Sequence, residues 1–132
     1  MSQTHTHIDL KPLLAQVQVW TQEPALLEQF STDRSGLKAD GLPLVLIMAS
    51  NVAEISATLK FATEHQIPVV TRGAGSGLCG GAVAGSGSIV LDVASLAEIL
   101  EIDPLNSTAT VQAGVINAEL NRQVANHGLR FA

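Results

Sequence analysis

Apolar residues in this chain form short continuous runs on either side of one clearly helical stretch. Val52, Ile55, Leu59 and Ala62 recur at helical spacing and predict a helix over 51–65 with one apolar face. Asn51 stands before this helix with Glu54 three residues later, a pattern typical of a capping box. Runs rich in Ile, Leu and Val predict strands at 44–48, 67–71, 88–93 and 99–102, and a further strand is predicted at 108–112.

Weaker patterns predict helices near both ends. Residues 10–17 carry leucines and a valine at helical spacing, with Asp9 as a candidate cap. Asn117 stands where it can cap a helix carrying Leu120 and Val124, and Gly128 stands where a helix end favours a left-handed residue. Residues 20–42 are ambiguous apart from a candidate short helix after Pro24. The late run of strands favours an α+β class over strict βαβ alternation.

Composition narrows the classes of function. Apolar residues make up 46% of the 132 residues and charged residues 14%, which is typical of a folded chain. The net charge of −5 argues against a nucleic-acid partner. A single cysteine, Cys79, rules out an intramolecular disulfide, and no apolar run approaches the ~20 residues of a membrane span. We therefore expect a cytoplasmic protein without a transmembrane segment, and leave peripheral membrane association open.

The densest signal is a glycine-rich loop directly after the predicted strand 67–71. Seven of the eleven glycines lie between Gly73 and Gly87. Glycine costs backbone entropy, so such a cluster indicates that something must approach the backbone closely. Unpaired backbone amides at the end of a strand bind phosphate oxygens well. Arg72 is the only Lys or Arg between Phe61 and Asn121, and we expect it to bind phosphate or to order the loop. The pattern predicts a site for a diphosphate-bearing cofactor.

Two other interpretations of the loop remain at this point. Residues 75–80 match the pattern GxGxxG, which in a Rossmann-type NAD-binding domain opens a helix. Gly85 and Gly87 would each cost about 1 kcal/mol in such a helix, so this interpretation is disfavoured. The other interpretation is a flexible surface loop without a ligand. The length of the loop and the position of Arg72 at its entrance weigh against it.

From about residue 44 onward the chain resembles a known family. The matching pieces are the run Pro68–Ala82, the strand 89–92, the run 99–104 and Val111–Val115. Together and in this order they resemble the FAD-linked oxidases of the vanillyl-alcohol-oxidase type. Within that family they are most similar to glycolate oxidase flavin subunits and D-lactate dehydrogenases. The resemblance implies an N-terminal helical extension at 1–40, followed at 41–132 by the N-terminal, truncated portion of a PCMH-type FAD-binding domain.

The resemblance also implies a cofactor and the residues that hold it. The cofactor is FAD, bound noncovalently because this loop contains no histidine to bond the flavin. The implied cofactor-binding residues are Arg72, Gly73, Ala74, Gly75, Ser76, Gly77, Gly80, Gly81, Ala82, Val83 and Gly114. We predict no catalytic residue and no metal site within the chain.

The implied function is the FAD-binding portion of an oxidoreductase that acts on a small 2-hydroxy acid such as glycolate or D-lactate. The acid would bind to a C-terminal domain that this chain does not include, so the chain alone is expected to be inactive. Partner subunits of a larger oxidase complex are a further implication. The alternatives are a non-catalytic nucleotide-binding module, an inactive truncated remnant and the Rossmann-type domain.

Overall fold

The computed structural model describes residues 8–131, and its centre is a four-stranded sheet. The strands lie in the order β1 (Trp20–Thr21), β2 (Val45–Met48), β4 (Ile89–Asp92) and β3 (Val69–Arg72). The last three are parallel, whereas β1 pairs antiparallel with β2 at the edge. A separate antiparallel hairpin contains β5 (Ile99–Asp103) and β6 (Thr108–Val111). This mixture of small sheets and helices confirms the α+β prediction.

Within residues 8–131, four α-helices accompany the sheets. They are α1 (Lys11–Leu14), α2 (Pro24–Glu28), α3 (Val52–Glu64) and α4 (Asn117–Val124). A 3₁₀ turn over Ala125–His127 follows α4 and ends at Gly128, whose φ of 70° confirms the predicted left-handed end. The first helix is shorter than its apolar spacing predicts. Residues 1–7 of the predicted extension, and Ala132, lie outside the described residues.

Both faces of the sheet are covered, because successive strand residues point to opposite sides. On one face, Ile47 and Leu91 pack with Leu13 of α1 and with Phe61 of α3. On the other face, Leu46 and Val90 pack with Leu27 of α2 and with Ala84 of the glycine loop. Ala84 is completely buried. The glycine loop is therefore part of the hydrophobic core on this second face.

The connection between β3 and β4 explains why the loop covers that face. The two strands are parallel neighbours, so residues 73–88 must return along the full length of the strands. The chain moves outward from β2 to β3 through α3 and back to β4 through the loop, on opposite faces. When two crossover connections have the same handedness but run in opposite directions along a sheet, they lie on opposite faces of it. No helix lies between β3 and β4, so the Rossmann interpretation is wrong.

The start of α3 is as predicted, but its predicted face is only partly in the core: Ala62 is buried and Ile55 packs against the core. Asn51 Oδ1 accepts a hydrogen bond from the Glu54 amide at 3.0 Å. Val52 and Leu59, predicted to face the core, are 74% and 45% exposed. The buried positions of the helix are Glu54, Thr58, Phe61 and Ala62.

Glu54 is buried because its carboxylate binds backbone amides from two other segments. It accepts hydrogen bonds from the amide of Ser50 at 2.7 Å and from that of Gln18 at 2.9 Å. It thereby ties the segment after α1 to the turn between β2 and α3. In a capping box the Glu54 side chain would bond the Asn51 amide instead.

The prediction that Asn117 caps the last helix is wrong. Ile116 occupies the cap position without a side-chain hydrogen bond, and Asn117 is the first helical residue. The Asn117 side chain instead accepts a hydrogen bond from Asn121 Nδ2 at 2.8 Å, one turn along the helix. Among residues 8–131, no helix is long and apolar enough to cross a membrane.

Candidate functional site

The candidate site lies at the carboxyl edge of the parallel strands, where ligands of open α/β sheets commonly bind. The glycine loop leaves the sheet there, directly after Arg72 at the end of β3. The Val93 amide, just past the end of β4, donates to the Arg72 carbonyl at 2.9 Å. The base of the loop is therefore fixed to the neighbouring strand.

The first part of the loop, residues 73–81, is termed the open arm. Most of its residues are exposed, including Gly73, Ala74, Ser76 and Gly77. From Gly73 through Gly81, no backbone amide donates a hydrogen bond to any other residue that the structure describes. Consecutive donors of this kind, facing solvent, provide what an anionic group needs from a loop.

The second part, residues 82–88, is termed the anchored arm because a neighbouring segment holds it. That segment, residues 30–41, runs between α2 and β2 and lies beside the loop. The Ala84 amide donates to the Phe30 carbonyl at 2.9 Å, and the Ser86 amide donates to the Asp40 carbonyl at 3.0 Å. The two arms therefore differ: one is held by the fold and the other is presented to solvent.

Arg72 orders the loop. Its Nη1 donates to the Thr32 carbonyl at 2.7 Å and to the Ala82 carbonyl at 3.1 Å. Its guanidinium carbon lies 4.9 Å from the centre of the Phe30 ring, within the range of a cation–π interaction. Phosphate binding and loop ordering were both predicted for Arg72, and these contacts show the loop-ordering role.

Asp33 binds the residue of the loop that Arg72 also binds, Ala82, but through its amide rather than its carbonyl. Sequence reasoning did not single out Asp33 as a site residue. Its Oδ2 accepts a hydrogen bond from the Ala82 amide at 3.3 Å, while Oδ1 accepts from the amide of Ser35 at 2.9 Å and from its hydroxyl. The Ser35 hydroxyl and amide, then the Ala82 amide and the charge of Arg72, lower the pKa of Asp33 despite partial burial. Its Ala82 partner is 49 residues away, so no local pattern could reveal the contact.

Most glycines of the loop are required by the fold itself. Gly75, Gly80 and Gly87 have positive φ, a conformation that other residues adopt only with strain. A Cβ on Gly80 would also lie 2.7 Å from Leu37 Cδ1. A Cβ on Gly85 would lie 3.2 Å from the Cβ of Ala39. These four positions need no ligand to explain them.

Gly73, Gly77 and Gly81 are different. None has positive φ. A Cβ on Gly73 or Gly81 would meet no atom within 4 Å, and a Cβ on Gly77 would meet only Asp33 Oδ2, at 3.9 Å. The described chain therefore gives no reason for glycine at these positions. Close approach of a bound group to the backbone is the remaining physical reason.

Three other predicted site residues, Ala82, Val83 and Gly114, are partly or fully buried. The amide of Ala82 is used by Asp33, and that of Val83 donates to the Gly80 carbonyl at 3.2 Å. Gly114 is buried, and a Cβ there would lie 2.8 Å from the carbonyl oxygens of Ala94 and Leu96. Packing against the turn after β4 thus explains Gly114 and places it at the same sheet edge as the loop.

The comparison with protein families decides the identity of this domain. A family model described as an FAD-binding domain matches residues 43–132. The chain belongs to this FAD-binding domain family. FAD is accordingly its cofactor, and the resemblance proposed from the sequence is confirmed. The division of the chain at residue 41 stays a prediction.

Curated relatives of this FAD-binding domain are named as an oxidase subunit and a dehydrogenase. It is 44% identical over 90 residues to the glycolate oxidase subunit GlcD of Bacillus subtilis and 37% identical over 114 residues to that of Escherichia coli. It is 46% identical over 87 residues to D-lactate dehydrogenase of Archaeoglobus fulgidus. These alignments cover 68%, 80% and 66% of this chain but only 19%, 23% and 19% of the relatives. The chain thus spans about a fifth of the length of the curated relatives it matches.

Solved structures confirm the fold. The FAD-binding domain aligns with p-cresol methylhydroxylase at a TM-score of 0.70 and 22% identity, covering 91% of this chain and 24% of that one. It aligns with 4-ethylphenol oxidase from Gulosibacter chungangensis at a TM-score of 0.75 and 16% identity, covering 90% and 24%. These are the PCMH-type neighbours that the resemblance predicted.

The residues of the carboxyl edge fit FAD. The cofactor carries a diphosphate, and the open arm supplies unpaired amides beside glycines with free space above them. In residues 8–131 no group of three or more His, Cys, Asp or Glu side chains could hold a metal ion.

Proposed function

We propose that the open arm binds the diphosphate of FAD through its backbone amides. The observation that carries this proposal is the state of Gly73, Gly77 and Gly81, which neither backbone conformation nor packing requires to be glycine. A phosphate oxygen approaches a backbone amide most easily where no side chain shields it. The scarcity of cations supports the same mode, because Arg72 is already bonded to two carbonyl groups.

The residues of this chain divide the work of binding. The open arm donates hydrogen bonds to the diphosphate, and the Ser76 hydroxyl is exposed beside these amides. The anchored arm and residues 30–41 hold the loop in place, which lowers the entropy that binding must remove. No histidine lies in the loop, so we propose that the flavin is bound noncovalently.

The enzyme that carries this domain is proposed to oxidise a small 2-hydroxy acid. The printed activities of several relatives support this class: glycolate oxidase, D-lactate dehydrogenase and, at 33% identity over 109 residues, D-2-hydroxyglutarate dehydrogenase. Their named substrates share a hydroxyl group next to a carboxylate. FAD supplies the acceptor for the hydride equivalent in such chemistry. By analogy with the relative named as a subunit, the domain would work within a larger oxidase assembly.

An FAD titration of the purified chain tests the diphosphate proposal. We expect quenching of flavin fluorescence on binding, competition by ADP, and loss of binding in Gly81→Val. Ala53→Val, which adds the same branched side chain at an exposed position of α3, is the matched control and should bind normally. Equal affinity in wild type and Gly81→Val would exclude the open arm as the diphosphate site. Competition by ADP with no flavin selectivity would favour a general nucleotide-binding module.

A further inference from the structure

We propose that Asp33 is a positioning residue for FAD, which fixes the turn at Gly80–Ala82 and thereby the conformation of the open arm. This inference rests on the proposed function of the open arm. Asp33 lies outside the stretch that matches the family model, residues 43–132. The geometry of the loop points to it.

The contacts of the turn give the first step. Ala82 is held from both of its polar backbone groups: its amide donates to Asp33 Oδ2 at 3.3 Å, and its carbonyl accepts from Arg72 Nη1 at 3.1 Å. The same Nη1 donates to the carbonyl of Thr32, the residue before Asp33. Asp33 and Arg72 therefore form a two-sided clamp on Ala82, and the clamp is built partly from the segment that precedes the family match.

The position of the clamp gives the second step. It lies at the junction of the two arms, next to Gly80 and Gly81 and directly after the unpaired amides. A Cβ on Gly77 of the open arm would lie 3.9 Å from Asp33 Oδ2, so the carboxylate also faces the open arm. A loop of glycines has little intrinsic preference for one conformation. A fixed point at its far end, with Arg72 at its near end, limits the conformations available to the amides between them.

The charges around the carboxylate give the third step. A carboxylate beside a diphosphate site would repel the ligand if it stood alone. Here Asp33 accepts hydrogen bonds from Ser35 and Ala82, and the positive charge of Arg72 offsets part of its negative charge. Hydrogen bonds from the Ser35 hydroxyl and amide, followed by the Ala82 amide and the charge of Arg72, hold the pKa of Asp33 below its ordinary value, so the carboxylate stays ionised at neutral pH. The net effect of the pair is ordering rather than attraction or repulsion.

Two measurements on the same purified chain test this role. The first is hydrogen exchange of individual amides by NMR without FAD, and the second is FAD affinity by fluorescence at pH 7. In Asp33→Ala we expect faster exchange of the Ala82 amide and FAD affinity lower by about tenfold, the size expected for one hydrogen bond to a charged acceptor. Asp33→Asn keeps one acceptor oxygen and should recover part of the affinity. Asp40→Ala removes the same charge from the same segment, where only the Asp40 backbone carbonyl binds the loop, and should match wild type.

Each other outcome excludes a different idea. Unchanged exchange at Ala82 in Asp33→Ala would show that the clamp does not hold the turn. Faster exchange with unchanged FAD affinity would leave the clamp as a purely structural contact and overturn the positioning role, while the proposed function survives. Tighter FAD binding would mean that the carboxylate mainly repels the diphosphate, which also overturns it. If neither wild type nor Asp40→Ala binds FAD although Ala82 is protected, the proposed function itself fails, and the positioning role fails with it.

Discussion

The guanidinium of Arg72 lies against the α-carbon of Gly75, where a side chain would otherwise stand. A Cβ built on Gly75 would be 2.7 Å from Arg72 Cζ, and Gly75 has a φ of +64°. The glycine is therefore needed by the arginine that orders the loop. Its absence of a side chain has a cause within the protein, independent of any cofactor.

This relationship predicts opposite behaviour for two glycines two residues apart. Gly75→Ala should lower the free energy of unfolding by about 1–3 kcal/mol, because it combines an unfavourable φ with displacement of Arg72. Gly73→Ala should leave stability within about 0.5 kcal/mol of wild type, because the added methyl meets no atom within 4 Å. Urea unfolding of both variants measures this. The same FAD titration should show weaker binding in Gly73→Ala. Equal destabilisation of the two variants would contradict the distinction between fold-required and ligand-facing glycines.

A second prediction concerns Gly114. Gly114→Ala should lower the free energy of unfolding by about 1–3 kcal/mol, since its methyl group would overlap backbone carbonyls that cannot rotate away. The Gly114 amide also donates to the Leu96 carbonyl at 2.7 Å, so a shift of the backbone would disturb that bond. Thermal unfolding followed by circular dichroism measures the change. Ala113→Ser, at the exposed neighbouring position, is the control and should unfold like wild type.

A third prediction concerns the pH dependence of stability. Burial alone would raise the pKa of Glu54, but hydrogen bonds from Ser50 and Gln18 lower it below its ordinary value of 4.5. Because the pKa is lower in the folded state, the stabilisation is complete above the unfolded value and is lost as the pH falls through the folded value. Glu54→Gln cannot accept both amide bonds and should cost about 1–3 kcal/mol at pH 7. Its stability should also change less than that of wild type between pH 6 and pH 3.

The control for the Glu54 experiment is Glu64, an exposed residue at the end of α3. Glu64→Gln should retain the stability of wild type at neutral pH. If Glu54→Gln and wild type lose stability in parallel on acidification, the Glu54 carboxylate does not contribute to the acid sensitivity of the fold.

A fourth prediction concerns activity. The 132-residue chain supplied with FAD should not oxidise glycolate or D-lactate in the presence of a dye acceptor. The chain spans about a fifth of its curated relatives, and we assign no catalytic residue to it. Turnover well above that of free FAD would show that a complete active site lies within these residues. The control is the same assay with a purified glycolate oxidase.

Strands were the most predictable part of the fold. The predicted bounds of β2, β4, β5 and β6 are right to within about a residue. For β2 and β4 the reason is that strands buried on both faces need continuous apolar runs. The two-residue strand β1 was missed, since it exists only through its pairing with β2. Such pairing is set by distant residues and leaves no local periodicity.

The buried face of α3 shows a different limit. Apolar spacing placed Val52 and Leu59 in the core, yet the core contains Thr58 and the charged Glu54 instead. Thr58 is accommodated because its hydroxyl donates to the Glu54 carbonyl at 2.8 Å, and Glu54 because it binds amides of other segments. Hydrophobicity cannot predict a polar residue whose partners lie elsewhere in the chain. The site shows the same division: the glycine loop was visible in the sequence, whereas the contact of Asp33 with Ala82 was not.

The position of β4 between β2 and β3 constrains when the sheet can form. Neighbouring strands lie about 4.8 Å apart, so β2 and β3 stand roughly 10 Å from each other and cannot exchange hydrogen bonds. Until a growing polypeptide includes Ile89–Asp92, β3 therefore has no strand of this sheet with which to pair. The central strand enters last, and it does so only after the sixteen residues from 73 to 88 have crossed the sheet. Closing that crossing is a non-local step of the kind that slows folding.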